Sequence, residues 1–336
     1  MSESSEPEHR IPNTDQTLDF GLLNPDMGVR RGGSGLVLAV LLAGCGSGDD
    51  PVLHVGDIQI WPMPSFAMAI PQPRSVSIGP EDQVVVLDKK ARVLLFDAEG
   101  NLMRQWRMPE FENGNPQGAA VLRDGRIAVA DTHYYRVMFF DMEGNIRGSF
   151  GSRGKGPGQF EFPVSIVQDD QEYLYVAEYF GNDRVQKFTR DGHFVASIGS
   201  PGTGPGQFQR PGGMVWQRGS DGVGRLFIAD ADNGRVQVYH DDGTFEQVFG
   251  DEDGSAPHIF DFPFDVAADA VGSIYVIEWQ GNRLSKFNAA GTLLGRFGSA
   301  GSELGQFLTP WGIAVDSKGR IRVADYGNHR IVGLIP

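Results

Sequence analysis

Cysteine is nearly absent from this chain, which has one, Cys45, in 336 residues. A single thiol excludes a disulfide framework, a thiolate zinc site and a CxxC redox pair. Basic residues are also scarce, with 29 Lys and Arg against 43 Asp and Glu. The resulting net charge of −14 argues against binding the phosphate backbone of a nucleic acid, which needs a basic surface. No GxSxG, HExxH, Walker or EF-hand motif occurs, so no short motif marks a catalytic residue.

Long apolar runs are missing too. The longest, at 36–44, is far shorter than the ~20 residues that a membrane-spanning helix needs. It follows Arg30 and Arg31 and ends in small residues before Cys45, which is typical of a secretory signal peptide. The sequence Leu-Ala-Gly-Cys at 42–45 resembles the lipobox of bacterial lipoproteins, in which the cysteine is lipidated. A buried Gly-rich strand is the alternative interpretation of this run.

The residues before this signal have the wrong charge for its basic start. Residues 1–26 carry six acids and one Arg, whereas Met27 begins Met-Gly-Val-Arg-Arg. We therefore expect translation to start at Met27, with an extended leader at 1–26 as the alternative. Residues 27–44 are then the signal peptide, and 45–51 a tether. We expect an exported protein, attached through its lipid alone to the cell membrane or the outer membrane, and facing the periplasm or the exterior.

Glycine and proline, in contrast, are abundant, at 46 and 20 residues, and 40% of the chain is hydrophobic. This combination indicates many turns around a folded core rather than disorder. An internal repeat explains it. Six short apolar strands each end in an acid that is followed, four to six residues later, by an Arg. These pairs are Asp88 and Arg92, Asp131 and Arg136, Glu178 and Arg184, Asp230 and Arg235, Glu278 and Arg283, and Asp325 and Arg330.

Each repeat begins at a Pro and contains enough strand-like segments, separated by Gly turns, for a four-stranded sheet. Such a sheet cannot bury both faces alone, so six of them pack around an axis. The sequence therefore predicts an all-β fold, a six-bladed β-propeller of four-stranded antiparallel blades, over residues 52–336. The sixth repeat ends after its third strand, and we expect residues 52–56 to supply the fourth, which removes an exposed edge.

The repeat resembles the NHL repeat over roughly residues 73–336. Residues 228–236 read Ile-Ala-Asp-Ala-Asp-Asn-Gly-Arg-Val and residues 323–331 read Val-Ala-Asp-Tyr-Gly-Asn-His-Arg-Ile, both close to its consensus. The resemblance implies the propeller fold but does not choose a function, because such propellers include binding platforms, sensors and a peptide-amidating lyase. The lyase holds zinc with histidines directly after the repeat Pro. Here those positions are Arg74, Gln117, Val164, Gly212, Phe264 and Trp311.

The six acid–Arg pairs recur in every repeat, whereas a catalytic site is normally built once. We interpret them as structural, each Arg neutralising its acid and holding the neighbouring loop. Strand order places the residues after each Pro and after each acid at one end of the propeller. Aromatic side chains with a few cations are concentrated there. The candidate ligand-binding residues are Arg74, Tyr134, Tyr135, Tyr179, Phe180, Phe264, Trp279, Trp311 and Tyr326.

Aromatic residues are favoured in ligand and protein interfaces. The sequence therefore predicts a membrane-anchored, non-catalytic platform that binds a protein, peptide or glycan at the channel mouth and carries no cofactor. Packing of individual rings between blades is the structural alternative for each of them. The functional alternative is an extracytoplasmic lyase or hydrolase with Ca²⁺ or Zn²⁺ in the axial channel. No catalytic residue is assigned.

Overall fold

The computed structural model describes residues 50–65, 70–112, 115–249 and 260–335. Contacts divide the chain into two units, Met1–Leu38 and Ala39–Pro336. All of the described residues belong to the second unit. The predicted start site, signal peptide and Cys45 lie outside the described residues. In the described part of the chain, no helix is long and apolar enough to span a membrane.

Six four-stranded antiparallel sheets make up the second unit, and we number them as blades 1 to 6 along the chain. Within blades 1 to 5, the strands run in chain order from the axis outward. Blade 1 contains β2 (Pro73–Ile78), β3 (Val84–Asp88), β4 (Arg92–Phe96) and β5 (Leu102–Arg107). Blade 2 contains β6 (Gly118–Val121), β7 (Ile127–Asp131), β8 (Arg136–Phe140) and β9 (Ile146–Phe150). Blade 3 contains β10 (Phe162–Gln168), β11 (Leu174–Tyr179), β12 (Arg184–Phe188) and β13 (Phe194–Ile198).

The remaining three blades follow after a short parallel pair in the link, β14 (Ser200–Pro201) and β15 (Gln207–Phe208). Blade 4 contains β16 (Pro211–Arg218), β17 (Gly224–Asp230), β18 (Arg235–His240) and β19 (Phe245–Phe249). Blade 5 contains β20 (Pro263–Ala268), β21 (Ile274–Glu278), β22 (Arg283–Phe287) and β23 (Leu293–Phe297). Blade 6 contains β24 (Gly312–Val315), β25 (Ile321–Asp325), β26 (Arg330–Ile335) and, as its outer strand, β1 (Asp57–Pro62).

The ends of the described chain meet in blade 6, which confirms closure by an N-terminal strand. The strand is β1, however, so the prediction of residues 52–56 is wrong. Val52 instead bridges Arg296 of blade 5, and the pairing of β1 with β26 starts only at Asp57. The run from 57 to 62 places the bulky Trp61 against Phe96 of blade 1, with their ring centroids 6.1 Å apart. Burial of that indole fixes the register.

Apolar packing between blades supplies the core. The second and third strands are rich in β-branched and other apolar residues that are buried on both faces, as in β3, all five of whose residues are buried. Six buried apolar clusters each join two neighbouring blades. The sixth cluster combines Trp61 and Ile331 of blade 6 with Val86 of blade 1. The ring is therefore closed, and the six innermost strands, each in contact with its two neighbours, surround an axial channel.

Candidate functional site at the channel mouth

The six acid–Arg pairs form the same contact in every blade. Each acid is buried and lies at the end of a second strand, or one residue before it in the case of Glu178. Its Arg begins the third strand on the opposite side of the connecting loop. The shortest N···O distances are 2.7 Å for Asp88–Arg92, 2.9 Å for Asp131–Arg136, 2.7 Å for Glu178–Arg184, 2.7 Å for Asp230–Arg235, 2.8 Å for Glu278–Arg283 and 2.8 Å for Asp325–Arg330.

Three of these arginines, Arg184, Arg235 and Arg330, also hold the Gly-rich links that lead into blades 3, 4 and 6. Arg235 donates to the carbonyl oxygens of Gly204 and Gln207, both at 2.8 Å. Arg330 donates to the carbonyl oxygen of Gln306 in the equivalent link, also at 2.8 Å. The pairs thus fix the end of the propeller at which each inner strand starts, and this end is the channel mouth.

Bulges at the start of the inner strands orient the side chains at this mouth. The register shifts between Pro73 and Ser75, between Pro163 and Ser165, and between Pro263 and Asp265. Each shift adds one unpaired residue directly after the repeat Pro, and in blades 1 and 5 these extra residues are Arg74 and Phe264. A bulge bends its strand and redirects a side chain. In these two blades the redirected side chain lines the channel.

The channel contains a cavity of about 250 Å³, lined by all six inner strands. Four of the nine candidate residues line it: Arg74, Tyr179, Phe264 and Trp311. Gln117 and Arg210 line it as well, and the amide of Gln117 donates to the Tyr179 hydroxyl at 3.1 Å. The other candidates, Tyr134, Tyr135, Phe180, Trp279 and Tyr326, do not line the cavity.

Ring contacts nevertheless connect most of these residues around blades 5 and 6. Tyr326 stacks on Trp311 at a centroid distance of 4.8 Å and an interplanar angle of 14°. Trp311 lies 4.7 Å from Phe264, which in turn contacts Phe262 at 6.2 Å. Phe262 also contacts Trp279 at 5.5 Å. Five rings of two blades therefore form one continuous surface.

A second group of rings surrounds Phe162 between blades 2 and 3. Its ring contacts Tyr179 at 6.0 Å, Phe180 at 5.4 Å and Tyr135 at 6.1 Å. The side chain of Phe180 is 62% exposed. Tyr134 lies under the guanidinium of Arg136, at 5.1 Å, rather than in this group. The group accordingly extends the aromatic surface to blades 2 and 3 without Tyr134.

Arg210 of the link before blade 4 connects the two groups. Its guanidinium carbon lies 5.2 Å from the Tyr179 ring centroid and 5.5 Å from that of Phe262. The guanidinium of Arg74 similarly lies 4.6 Å from the Trp311 ring centroid. We call the resulting surface the aromatic arc. It comprises Tyr135, Phe162, Tyr179, Phe180, Phe262, Phe264, Trp279, Trp311 and Tyr326.

Each inner strand also has a position that is polar in alternate blades and glycine in the others. The second residue after the repeat Pro is Ser75, Ser165 or Asp265 in the odd-numbered blades and glycine in the even-numbered ones. A Cβ on Gly213 would lie 1.7 Å from the Asp265 Oδ1, so this glycine makes room for the carboxylate. Ser75 accepts a hydrogen bond at 3.1 Å from the N–H of Ala119 in the next blade.

Asp265 is the one acid that lines the cavity in the described chain. Its two oxygens accept hydrogen bonds from the N–H groups of Val266 and Ile313, each at 2.9 Å. The described residues provide it with no ion pair. Burial raises the pKa of its carboxyl to about 7, and the two N–H donors oppose that rise. Near neutral pH this carboxyl can therefore either donate or accept a proton.

Sequence reasoning missed Asp265, Arg210, Phe162 and Phe262. The last three stand directly before repeat prolines, and Arg210 and Phe262 have positive φ values of 58° and 60°. The useful signal for Asp265 was its position, since it is the one charged residue among six equivalent positions in an aligned repeat. The features common to all blades do not include this charge, because the equivalent position is Ser or Gly in the other five blades.

Within the described ranges, no three His, Cys, Asp or Glu side chains lie close enough together to hold a metal ion. The inner-strand positions at which the resemblance places zinc ligands carry Arg74, Phe264 and Trp311 among others, and these side chains belong to the aromatic arc or lie against it.

Comparison with known proteins agrees with this architecture. Residues 307–334 match the family model of the NHL repeat. Human NHL repeat-containing protein 3 is 31% identical over 117 residues, which cover 32% of this chain and 34% of that protein. The mouse protein is 29% identical over the same length. The chain thus spans about a third of the length of the curated relatives that it matches.

Solved structures share the fold at low sequence identity. Virginiamycin B lyase from Staphylococcus aureus is 14% identical with a TM-score of 0.58, over 83% of this chain and 99% of that one. A gluconolactonase from Xanthomonas campestris is 13% identical with a TM-score of 0.60, over 86% of this chain and 95% of that one. The chain is therefore a six-bladed β-propeller that contains a match to the NHL repeat and resembles NHL repeat-containing proteins over part of its length.

Proposed function

We propose that this protein is a non-catalytic binding platform and that the aromatic arc is its binding surface for a protein, peptide or glycan. The observation that carries the proposal is the continuity of the arc: rings from blades 2, 3, 5 and 6 contact one another, or the shared Arg210, around one cavity. Aromatic side chains supply large contact areas at low entropic cost and are enriched where binding energy concentrates. The exposed ring of Phe180 extends this surface outward.

We further propose that the platform works outside the cytoplasm, attached to a membrane by lipid on Cys45. The support is the sequence alone: a basic pair, a short apolar run and a lipobox-like end at the single cysteine. A single acyl chain binds a membrane only marginally, so stable attachment requires more than one chain. Mass spectrometry of the N-terminal peptide from the membrane fraction tests this, and an unmodified Cys45 in that fraction contradicts it.

The alternative function is that of a lyase or hydrolase with Ca²⁺ or Zn²⁺ in the channel. Its support is that this chain shares the fold of the two enzymes described above. A catalytic zinc needs three protein ligands and a calcium ion needs six or more oxygens. The described channel residues offer one carboxylate, Asp265. We therefore propose a cofactor-free site. Elemental analysis of the purified full-length chain tests this, and one tightly held Zn²⁺ or Ca²⁺ per chain would overturn it.

Replacement of both tryptophans of the arc tests the binding surface. We expect Trp279→Ala with Trp311→Ala to weaken binding to peptide and glycan arrays at least tenfold, because each substitution removes a ring from the centre of the contact. Trp216→Ala is the matched control, since Trp216 lies near the opposite end of blade 4, paired with Leu226. Equal binding by the double variant and the wild type would refute the arc as the binding surface, provided that both give the same unfolding midpoint in urea.

A further inference from the structure

The carboxylate of Asp265 has no counter-charge in the described chain, although it lies in the channel wall. Its two partners are backbone N–H groups of Val266 and Ile313. A negative charge that is partly removed from water without a cation carries a desolvation cost, which an uncharged residue avoids. Blades 1 and 3 do use an uncharged residue here, since Ser75 and Ser165 occupy the equivalent positions. Packing therefore does not require the charge at this level.

The position of this carboxylate is fixed by its neighbours. The bulge between Pro263 and Asp265 directs the side chain, and Gly213 of blade 4 lies directly against it. Because Gly213 has no side chain, the Oδ1 atom rests on backbone rather than on an apolar group. The remaining open side of the carboxylate faces the cavity, whose wall Asp265 helps to form.

The mouth above it carries charge of the opposite sign. Arg74 and Arg210 line the same cavity, and none of the ion pairs in the described chain involves Arg210. Its guanidinium lies between the rings of Tyr179 and Phe262. Arg210 can attract an anionic group at the rim, although its backbone N–H donates to Asp183 at 2.7 Å and Asp232 lies near enough to interact with its charge. Among the residues that line the cavity, the charged ones are thus two arginines, Arg74 and Arg210, and one carboxylate, Asp265.

From this arrangement we propose that the channel binds a small dipolar molecule, with its ammonium group on Asp265, its carboxylate on Arg210 and a short apolar spacer against Phe264 and Trp311. This rests on the proposed function, because it assigns a ligand class to the platform's own mouth. The backbone from Arg210 to Gly213, which lies against Asp265, covers three residues, so the Cα atoms of Arg210 and Gly213 lie at most roughly 10 Å apart. The volume of about 250 Å³ suits an amino-acid-sized group, because drug-sized ligands need roughly 300–1,000 Å³. Both a free amino acid and the end of a peptide have this chemistry.

Because Asp265 can be protonated, the affinity of the wild-type protein for such a ligand should depend on pH. The other charged residues that line the cavity are Arg74 and Arg210, and Asp183 and Asp232 lie beside Arg210. The Asp230–Arg235 and Glu278–Arg283 pairs lie at the ends of the neighbouring strands. Burial raises the pKa of the Asp265 carboxyl to about 7. An ammonium group binds the ionised carboxylate, so affinity should rise from pH 5 to 7, by at most about tenfold per pH unit, and level off above that. A ligand held by the protonated carboxyl would show the reverse dependence.

Three matched probes separate the two charges: ε-aminocaproate has both, n-hexylamine has the cation alone and caproate has the anion alone. We expect isothermal titration calorimetry on the full-length chain to show the tightest binding for ε-aminocaproate, with affinity rising between pH 5 and 7. Asp265→Ser should weaken this binding at least tenfold, and Arg210→Gln should remove the preference over n-hexylamine. Ser165→Ala, at the equivalent level of blade 3, is the control and should change little.

The possible failures are distinguishable. Caproate binding as tightly as ε-aminocaproate, or affinity that falls as the pH rises, would overturn the role of Asp265. Absence of binding by all three probes at millimolar concentration would overturn the ligand class. In either case, continued array binding that depends on Trp279 and Trp311 would leave the proposed platform intact. Addition of glycyl peptides with free and with blocked termini then distinguishes peptide ends from free amino acids as the source of the ligand chemistry.

Discussion

The carboxylates at the ends of the second strands and the carboxylate of Asp265 differ in their partners. Those that end the second strands, such as Asp230, each contact an arginine and recur six times. Asp265, on an inner strand of blade 5, occurs once and contacts backbone N–H groups without a cation. The first kind holds the link between blades. The second also joins two blades, through the N–H of Ile313, but Ser75 accepts the same type of inter-blade hydrogen bond without any charge.

The contrast extends to protonation. Burial raises the pKa of Asp230 above its ordinary value, and hydrogen bonds from Asn233, the N–H of Gln209 and Arg235 oppose the rise. Burial also raises the pKa of Asp265, but two backbone donors alone oppose it, and the pKa reaches about 7. In a repeat protein, a charge that every blade repeats thus serves the fold. A charge that one blade carries alone is a candidate for function.

Removal of a repeated partner should have the largest effect on stability. Arg235→Ala leaves the fully buried Asp230 without its cation and releases the carbonyls of Gly204 and Gln207. We expect a loss of about 3–5 kcal/mol in the free energy of unfolding, as is usual when one member of a buried pair is removed. Urea denaturation of the full-length chain measures it.

The exposed pair Arg147–Asp141 is the matched control, because the Arg147 side chain is 55% exposed. Arg147→Ala should cost at most about 1 kcal/mol, as expected of a surface ion pair. Equal losses in the two variants would contradict the structural role of the repeated pairs.

Much of this fold was predictable from the sequence because the same pattern of strands and turns occurs in six successive repeats. The acid–Arg spacing, the Gly turns and the short apolar strands, such as β3 and β25, predicted the blades and their number correctly. The position of the closing strand was not predictable, since residues 52–56 and 57–62 have similar apolar content. Which segment forms the closing strand depends on the packing of Trp61 against Phe96.

The site was less predictable than the fold. Strand order correctly placed Arg74, Tyr179, Phe264 and Trp311 at the channel, because it fixes which loops share an end of the propeller. It could not show that Arg210 joins two ring groups, since that contact depends on side-chain positions from blades 3 and 5. Nor could it separate Trp279, which contacts the arc through Phe262, from a residue that lines the cavity.

We expect a smaller loss of stability from substitution of Gly213, the inner-strand glycine that lies against the carboxylate of Asp265. The Cβ of Gly213→Ala would lie 1.7 Å from the Asp265 Oδ1 and 2.7 Å from its Cα, so the inner strands of blades 4 and 5 must separate. We expect a loss of roughly 1–3 kcal/mol in the free energy of unfolding, the usual range for overpacking. Gly204→Ala is the control, because its Cβ would approach only the flexible side chain of Gln207. A Gly213→Ala variant as stable as the wild type would mean that the carboxylate is not confined.

The smallest effect concerns the pH dependence of stability. The pKa of Asp265 is about 7 in the folded protein, against an ordinary value of 3.8, so the folded state holds a proton that the unfolded chain releases between these values. The contribution of this residue is therefore most favourable below pH ~4 and is lost as the pH rises to about 7, beyond which it is constant. Asp265→Ser lacks this titration, while its hydroxyl can accept the N–H of Ile313 as Ser75 accepts that of Ala119.

Urea unfolding of the wild type and Asp265→Ser at a series of pH values measures this difference. Between pH 5 and 7, we expect the wild type to lose about 1–2 kcal/mol relative to the variant. The repeated acids remain in both proteins, so their titrations cancel in the difference. Parallel stability curves would show that water or a mobile cation already compensates Asp265. The charge would then need no ligand, and the distinction between the repeated carboxylates and this one would lose its functional meaning.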